Sequence, residues 1–122
     1  MKELKTLYDP LVSIVIITFN RREELLHAIE SVFKQTYKNI EVIVFDNASN
    51  NETDKCIKVL YPQIKILRTY KNLGCPIARN ISFANCNGEI IFSLDDDGWL
   101  DKNCIERIVS CFRENENNNI AV

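Results

Sequence analysis

The sequence predicts an α/β protein of three layers, a mainly parallel sheet with helices on both faces. Two observations carry this expectation. Strand-like apolar runs alternate with segments whose apolar residues recur at helical spacing, in a regular βαβα order. The strand-like runs are also continuously apolar and rich in Val and Ile, as strands buried on both faces are.

The elements follow in order. Val12 to Thr18 is a β-branched run that reads as a buried strand. Asn20, with Glu23 three residues on, has the form of a capping box and predicts a helix start there. Leu25, Leu26, Ile29, Val32 and Phe33 then share one helical face. Ile40 to Phe45 is a second strand, ending at Asp46. The stretch Asn47-Ala48-Ser49-Asn50-Asn51 is turn chemistry, and a short helix through Ile57 and Leu60 is stopped by Pro62. Ile64 to Leu67 is a third strand, with Asn72-Leu73-Gly74 as the loop after it. Pro76 suits the first turn of the next helix, which carries Ile77, Ala78, Ile81 and Ala84 and is closed by Asn87-Gly88. Glu89 to Leu94 is a fourth strand that runs into Asp95-Asp96-Asp97-Gly98. A last helix is expected from about Leu100, with Ile105, Ile108, Val109 and Phe112 inward. Glu114 to Asn119 reads as an Asn-rich linker, and Ile120-Ala121-Val122 as the first residues of a fifth strand, cut off. A truncated chain or fragment is the expectation.

A chain of 122 residues makes one domain. Folding at that size hides roughly two-thirds of the surface of the unfolded chain, enough for a real core. With 46% hydrophobic and 26% charged residues, three Gly and three Pro, the composition excludes collagen-like and disordered classes. Fifteen Lys and Arg against seventeen Asp and Glu give a net charge of −2, which argues against general binding to nucleic acid. The run Leu11 to Phe19 is far short of the roughly 20 residues that span a bilayer, and no small-residue cleavage site follows it. No transmembrane segment is read, and the expected location is cytoplasmic or peripheral at the inner face of a membrane. Five cysteines without CxxC spacing indicate neither a zinc site nor a disulfide framework, and Cys104 and Cys111 read as buried thiols on one helical face.

In an open parallel sheet ligands bind beyond the carboxyl ends of the strands. Four loops are thereby nominated: Thr18-Phe19-Asn20, Asp46-Asn47, Thr69 to Gly74, and Asp95 to Asp97. None is a glycine-rich phosphate cradle: the first turn has no Gly, and GxxxxGK[ST] is absent. Asp95 and Asp97, two apart, converge if strand geometry persists through them. Two ionised carboxylates so placed repel, and no Lys or Arg stands nearby in sequence before Lys102. A hard divalent cation, Mg²⁺ or Mn²⁺, relieves that repulsion and takes one or two carboxylates plus phosphate oxygens. The plain alternative is an acidic turn in which Asp96 or Asp97 caps the next helix; the position at the end of a hydrophobic strand favours the cation. Asp46 reads either as an Asx-turn or cap, or as an acceptor for a base or ribose. Phe19 is either core or a stacking surface for a base. Arg79 pairs with the acidic cluster or a phosphate, or stands solvated. His27 falls on a polar helix side, and Trp99 is expected to pack under the acidic loop.

Four stretches together resemble the family 2 glycosyltransferases, which have the GT-A fold: Val12 through Arg21, Asp46-Asn47-Ala48-Ser49, Asn72-Leu73-Gly74 through Ala78-Arg79-Asn80, and Leu94-Asp95-Asp96-Asp97. The resemblance runs from residue 11 to 122 and implies a nucleotide-diphosphate sugar as donor, with uridine the guessed base. It implies that Thr18, Phe19, Asp46, Arg79 and Asp95 serve the nucleotide, Phe19 by stacking on the base and Asp46 by bonding it. Asp95 would lie nearer the ribose and Asp97 would be the metal ligand of a DxD motif, with Asp95 contributing and Asp96 unassigned. The implied cofactor is Mn²⁺ or Mg²⁺, and the implied reaction is metal-assisted, inverting transfer to a carbohydrate or lipid-linked acceptor, in polysaccharide biosynthesis. The carboxylate base for that step is expected beyond Val122. Residues 1–122 would then be the donor-binding half, inactive alone. Two departures stand out: Ile17 where many relatives have Pro, and Gly98 where many have a further Asp.

Two other classes remain. A non-catalytic nucleotide-sugar or partner-binding module is compatible with the short length. A phospho-receiver domain would need acidic residues directly after the first strand, where Phe19-Asn20-Arg21 stands.

Overall fold

Strands and helices alternate strictly through residues 8–115, the part of the chain that the computed structural model describes. In order these are β1 (Val12–Thr18), α1 (Arg22–Phe33), β2 (Ile40–Asn47), α2 (Thr53–Leu60), β3 (Lys65–Thr69), α3 (Cys75–Ala84), β4 (Ile90–Asp95) and α4 (Cys104–Asn115). The strands form one parallel sheet in the order β3-β2-β1-β4. The α/β architecture with a parallel sheet is therefore as the sequence predicts. The Ile120-Ala121-Val122 strand and residues 116–119 of the expected linker lie outside the described residues; Glu114 and Asn115 belong to α4.

Period-2 alternation divides β1 between two cores. Val12, Ile14 and Ile16 join Val42 and Val44 of β2 in a cluster with Leu25, Ile29 and Val32 of α1, Ile57 of α2, and Ile105 and Val109 of α4. On the opposite face Val15, Ile43 and Phe45 are buried, and α3 lies against β1 and β2 there. Each fully buried side chain of this kind contributes about 1.5–3 kcal/mol.

Helix α3 turns a small-residue stripe to the sheet. Ala78 and Ser82 are buried, and the Ser82 hydroxyl is satisfied by the Ala78 carbonyl at 2.8 Å. Ile77 and Ile81, one position round, are 52% and 37% exposed. Small side chains let the helix axis approach the strands closely, which bulky Ile would prevent.

Other elements depart from expectation. Asn20 is not a cap: α1 has no side-chain cap bond, and Asn20 (φ 54°) is tied instead to the loop after β2. Its N–H donates to Ser49 Oγ (2.8 Å) and its Oδ1 accepts from Asn50 N (2.9 Å). Helix α4 begins at Cys104, so neither Asp96 nor Asp97 caps it. Ile64 is buried but precedes β3. Cys104 is only half-buried and Cys111 is exposed, because Ile105 and Val109 take the inward face. Trp99 is 73% exposed and does not pack under the acidic loop.

At the amino edge of the sheet Ser13 donates to Glu41, Asn87 N donates to Glu41 Oε2 (2.6 Å), and Gly88 N donates to Ser13 Oγ (2.8 Å). A Cβ on Gly88 would lie 2.5 Å from Ser13 Oγ and 2.7 Å from the Leu11 carbonyl. Gly88→Ala should therefore destabilise the fold by about 1–3 kcal/mol in urea unfolding. Burial pushes the Glu41 carboxyl up, but its hydrogen bonds from Ser13, Asn87 and Gly88 outweigh that and hold it below the usual carboxylate range. A depressed folded-state value means stability that is present above the unfolded value and lost as pH falls through the folded one. Glu41→Gln should lower the urea midpoint at pH 7, with the difference from wild type shrinking below about pH 4.

Candidate functional site

Parallel register brings the strand ends together. Thr18 of β1 lies beside Asp46 of β2, Asp46 beside Arg68 of β3, and Ile17 of β1 beside Asp95 of β4. Beyond these ends lies an open cleft of about 470 Å³, walled by the loops after β1 and β4, the loop before α3 and the first turns of α3. Thr18, Phe19, Arg79, Asp95 and Asp97 all line it, together with Arg21, Asn47, Asn72 and Cys75. Phe19 is 46% exposed, an aromatic face open to the cleft rather than a core residue.

The acidic run is not a continued strand. β4 ends at Asp95, and Gly98 N donates to the Asp95 carbonyl (3.0 Å) to close a turn over Asp96 and Asp97. Asp95 and Asp97 thus reach one cleft through a turn, not through strand alternation. Asp96 points inward, where Thr18 Oγ1 donates to its Oδ2 at 3.0 Å. Burial pushes the Asp96 carboxyl up; the Thr18 bond and the Arg21 charge pull it back only in part, and Asp97 and Glu24 raise it further. The counter-charge absent from the local sequence comes from across the sheet: Arg21 Nη1 donates to Asp97 Oδ2 (3.2 Å) and lies 3.8 Å from Asp96 Oδ1.

The turn rests on α1. Leu100 N donates to Ser31 Oγ (3.0 Å), and the buried Gln35 gives its Nε2 to the Asp101 carbonyl (2.8 Å) and accepts from Ile105 N (3.0 Å). These bonds use none of the acid side chains and fix the backbone that directly follows them.

Asp46 is placed differently from the other nominated residues. It is fully buried on the face opposite Asn47, where Arg68 Nη1 donates to its Oδ2 (2.6 Å) and Ser49 N to its Oδ1 (3.0 Å). Arg68 also reaches the Ser49 carbonyl (2.8 Å) and lies 3.6 Å from Asp54. This network holds Ala48 at φ 76°, a left-handed conformation that a residue with a Cβ adopts at a cost of about 1–2 kcal/mol. Asp46 thus shapes the loop, and it is Asn47 that reaches the cleft, its Oδ1 accepting from Leu73 N at 2.8 Å.

Arg79, one turn into α3, faces the acids across the cleft and makes no ion pair among the described residues. Sequence reasoning missed Arg21 and Asn47. Both stood inside recognised motifs, but Arg21 carried no local signal because its acid partners are remote in sequence, and Asn47, though in a nominated loop, was given no role beyond turn chemistry.

Chemically, three carboxylates, two guanidinium groups and an open aromatic ring line one cleft. That set suits a polyanion with an aromatic base. No cluster of three or more His, Cys, Asp or Glu among the described residues makes a protein-only metal cage. The pair Asp95 and Asp97 nevertheless fits Mg²⁺ or Mn²⁺, which typically take one or two carboxylates and complete their shell with phosphate oxygens.

The family model described as glycosyl transferase family 2 matches residues 13–122. A glycosyltransferase of Rickettsia prowazekii, itself uncharacterised, is 36% identical over 119 residues, covering 97% of this chain and 37% of that protein. The chain thus spans little more than a third of the length of that relative. Among solved structures, S. aureus TarS in complex with UDP is similar with a TM-score of 0.80 at 22% identity, over 86% of this chain and 32% of that one. The mannosyltransferase PcManGT from Pyrobaculum calidifontis, in complex with GDP-Man and Mn²⁺, gives a TM-score of 0.69 at 23% identity, over 75% of this chain and 29% of that one. These likenesses show the fold, of GT-A type.

Removing Arg68 leaves a fully buried carboxylate unpaired. Arg68→Met should cost about 3 kcal/mol in denaturant unfolding, at the low end for a buried pair because Arg68 keeps 25% of its side chain exposed. Adding Asp46→Asn should recover part of that loss.

Proposed function

This chain belongs to glycosyl transferase family 2, and from that premise we propose that it binds the nucleotide-diphosphate sugar, a UDP-sugar by our reading, for transfer to a hydroxyl of a carbohydrate or lipid-linked acceptor. The observation that carries the proposal is the opening of Asp95 and Asp97 onto the cleft that also holds the exposed ring of Phe19 and Arg79, which has no ion pair among the described residues. Phe19 offers the base a stacking face. Thr18 and Asn47 border the space for the ribose, and Asp46 supports that wall from behind through the loop it holds. Arg79 stands where a diphosphate facing the acidic turn would need a cation.

Glycosyl transfer releases a nucleoside diphosphate, so negative charge grows on the leaving phosphate. A divalent cation, when bound, supplies Lewis-acid stabilisation of that charge, worth several kcal/mol in such sites. Asp97, with Asp95, would hold it. The chain's own contribution is pre-set charge: the carboxylates on a turn whose following backbone is tied to α1, and Arg79 one turn into α3, need little reorganisation when the leaving group charges. Inversion requires a carboxylate base to take the acceptor proton, and we assign that base to residues beyond Val122. Residues 1–122 are then the donor-binding half, which binds donor weakly and turns over little alone. No helix among the described residues is long and apolar enough to cross a membrane. We place the site on the cytoplasmic side, or at the inner face of a membrane, as polysaccharide assembly would require.

Trp99 is the sole tryptophan and stands exposed directly after the acidic turn, so its fluorescence reports on that turn. UDP with Mn²⁺ should change the emission saturably, and Asp97→Asn should weaken UDP binding about tenfold or more, as loss of a charged contact does. A chain indifferent to UDP, GDP and the other nucleoside diphosphates with Mn²⁺, and equally indifferent to Asp97→Asn, would end the donor-site reading.

A further inference from the structure

Arg21 is committed to the acid that the donor reading needs for a cation. Its Nη1 donates to Asp97 Oδ2 at 3.2 Å and stands 3.8 Å from Asp96 Oδ1, so one guanidinium faces two carboxylates. Both ends of the Asp97 pair are in water, with side chains 50% and 57% exposed. An exposed pair of this kind is worth at most about 1 kcal/mol and exchanges easily. The neighbouring Arg22 is engaged elsewhere, its Nη1 donating to the Asn51 carbonyl at 3.0 Å.

The backbone under Arg21 is held on both sides. Its carbonyl accepts from Leu25 N (2.9 Å) at the start of α1, and Asn20 is tied to Ser49 and Asn50. Only the side chain is free to turn. A divalent cation on Asp97 would sit against the guanidinium, and like charges at that range repel. The displaced side chain keeps Asp96 at its back and itself lines the cleft, so a diphosphate bound there is the anion toward which it can turn. A guanidinium fork suits phosphate oxygens as well as it suits a carboxylate.

We propose that Arg21 is a further binding residue of the donor site, an alternative partner to the metal for Asp97, whose guanidinium passes to the donor's diphosphate when the cation takes the acid. The inference rests on the donor-site reading above. It makes cation and nucleotide binding interdependent through one side chain, in addition to any direct bond between them.

The test compares wild type with Arg21→Gln, which removes the charge and keeps a polar side chain. Mn²⁺ affinity is measured from the electron paramagnetic resonance of the free ion, and UDP affinity by calorimetry with Mn²⁺ present. The two should move in opposite directions. Mn²⁺ alone should bind Arg21→Gln about two- to fivefold more tightly, because a competitor for Asp97 is gone. UDP with Mn²⁺ should bind it about tenfold more weakly, because a charged phosphate contact is lost. Arg21→Lys should return much of the UDP affinity. A variant merely damaged in its fold would lose both affinities together. Unchanged or weaker Mn²⁺ binding, or unchanged UDP binding, in Arg21→Gln would overturn the role of Arg21 while wild-type binding and its loss in Asp97→Asn leave the donor site standing. A wild type that binds neither probe overturns both.

Discussion

Strand β1 is paired on both edges, and its register with β2 and β4 decides which side chains meet at the rim. With Ile17 beside Asp95 and Thr18 beside Asp46, a shift of one residue would exchange the faces of every side chain involved. The register is held by burial: Val12 through Ile16 are wholly buried, so slipping would carry Ser13 into the core around α1. The cleft is thus a consequence of the core beneath it.

Charge at the rim is handled in two ways, according to exposure. Asp46 and Arg68 form a short pair away from the cleft, one partner fully buried, and this pair stabilises the loop after β2. Asp97 and Arg21 form a longer pair in water, with little energy to lose on exchange. Between them Thr18 fixes Asp96 in the wall. The same chemical pairing therefore gives a structural element at one place and an exposed, easily exchanged ion pair at the other, and solvent is the difference.

Helix α1 does more than cover the sheet. Its amino end presents Arg21 to the acidic turn, while Ser31 and Gln35 near its carboxyl end hold the backbone that follows that turn. A ligand pulling on Asp95 or Asp97 thus works against a helix docked in the main core through Leu25, Ile29 and Val32.

Much of this was legible in the sequence. The bounds of β1 were readable because a β-branched run admits little else, and the succession of strands and helices was readable from the alternating apolar period; the order of the strands in the sheet was not. Four rim loops followed from the parallel sheet, and Thr18, Phe19, Arg79, Asp95 and Asp97 share one cleft as nominated. Tertiary structure alone decided the rest. Asp46 and Asn47 are adjacent, and alternation says that they part company; which of them reaches the cleft depends on which face α3 covers. The sequence offered Ile77, Ala78, Ile81 and Ala84 as the apolar residues of α3, and close approach to the sheet buries Ala78 with Ser82 instead of the two Ile. The partner of Asp97 lies 76 residues away, and a Coulombic contact depends on distance in space, of which a local sequence window carries no record. The sequence by itself determined the elements and the edge where chemistry is possible; folding chose which charges face one another there, because pairing across strands is settled by register and helix placement.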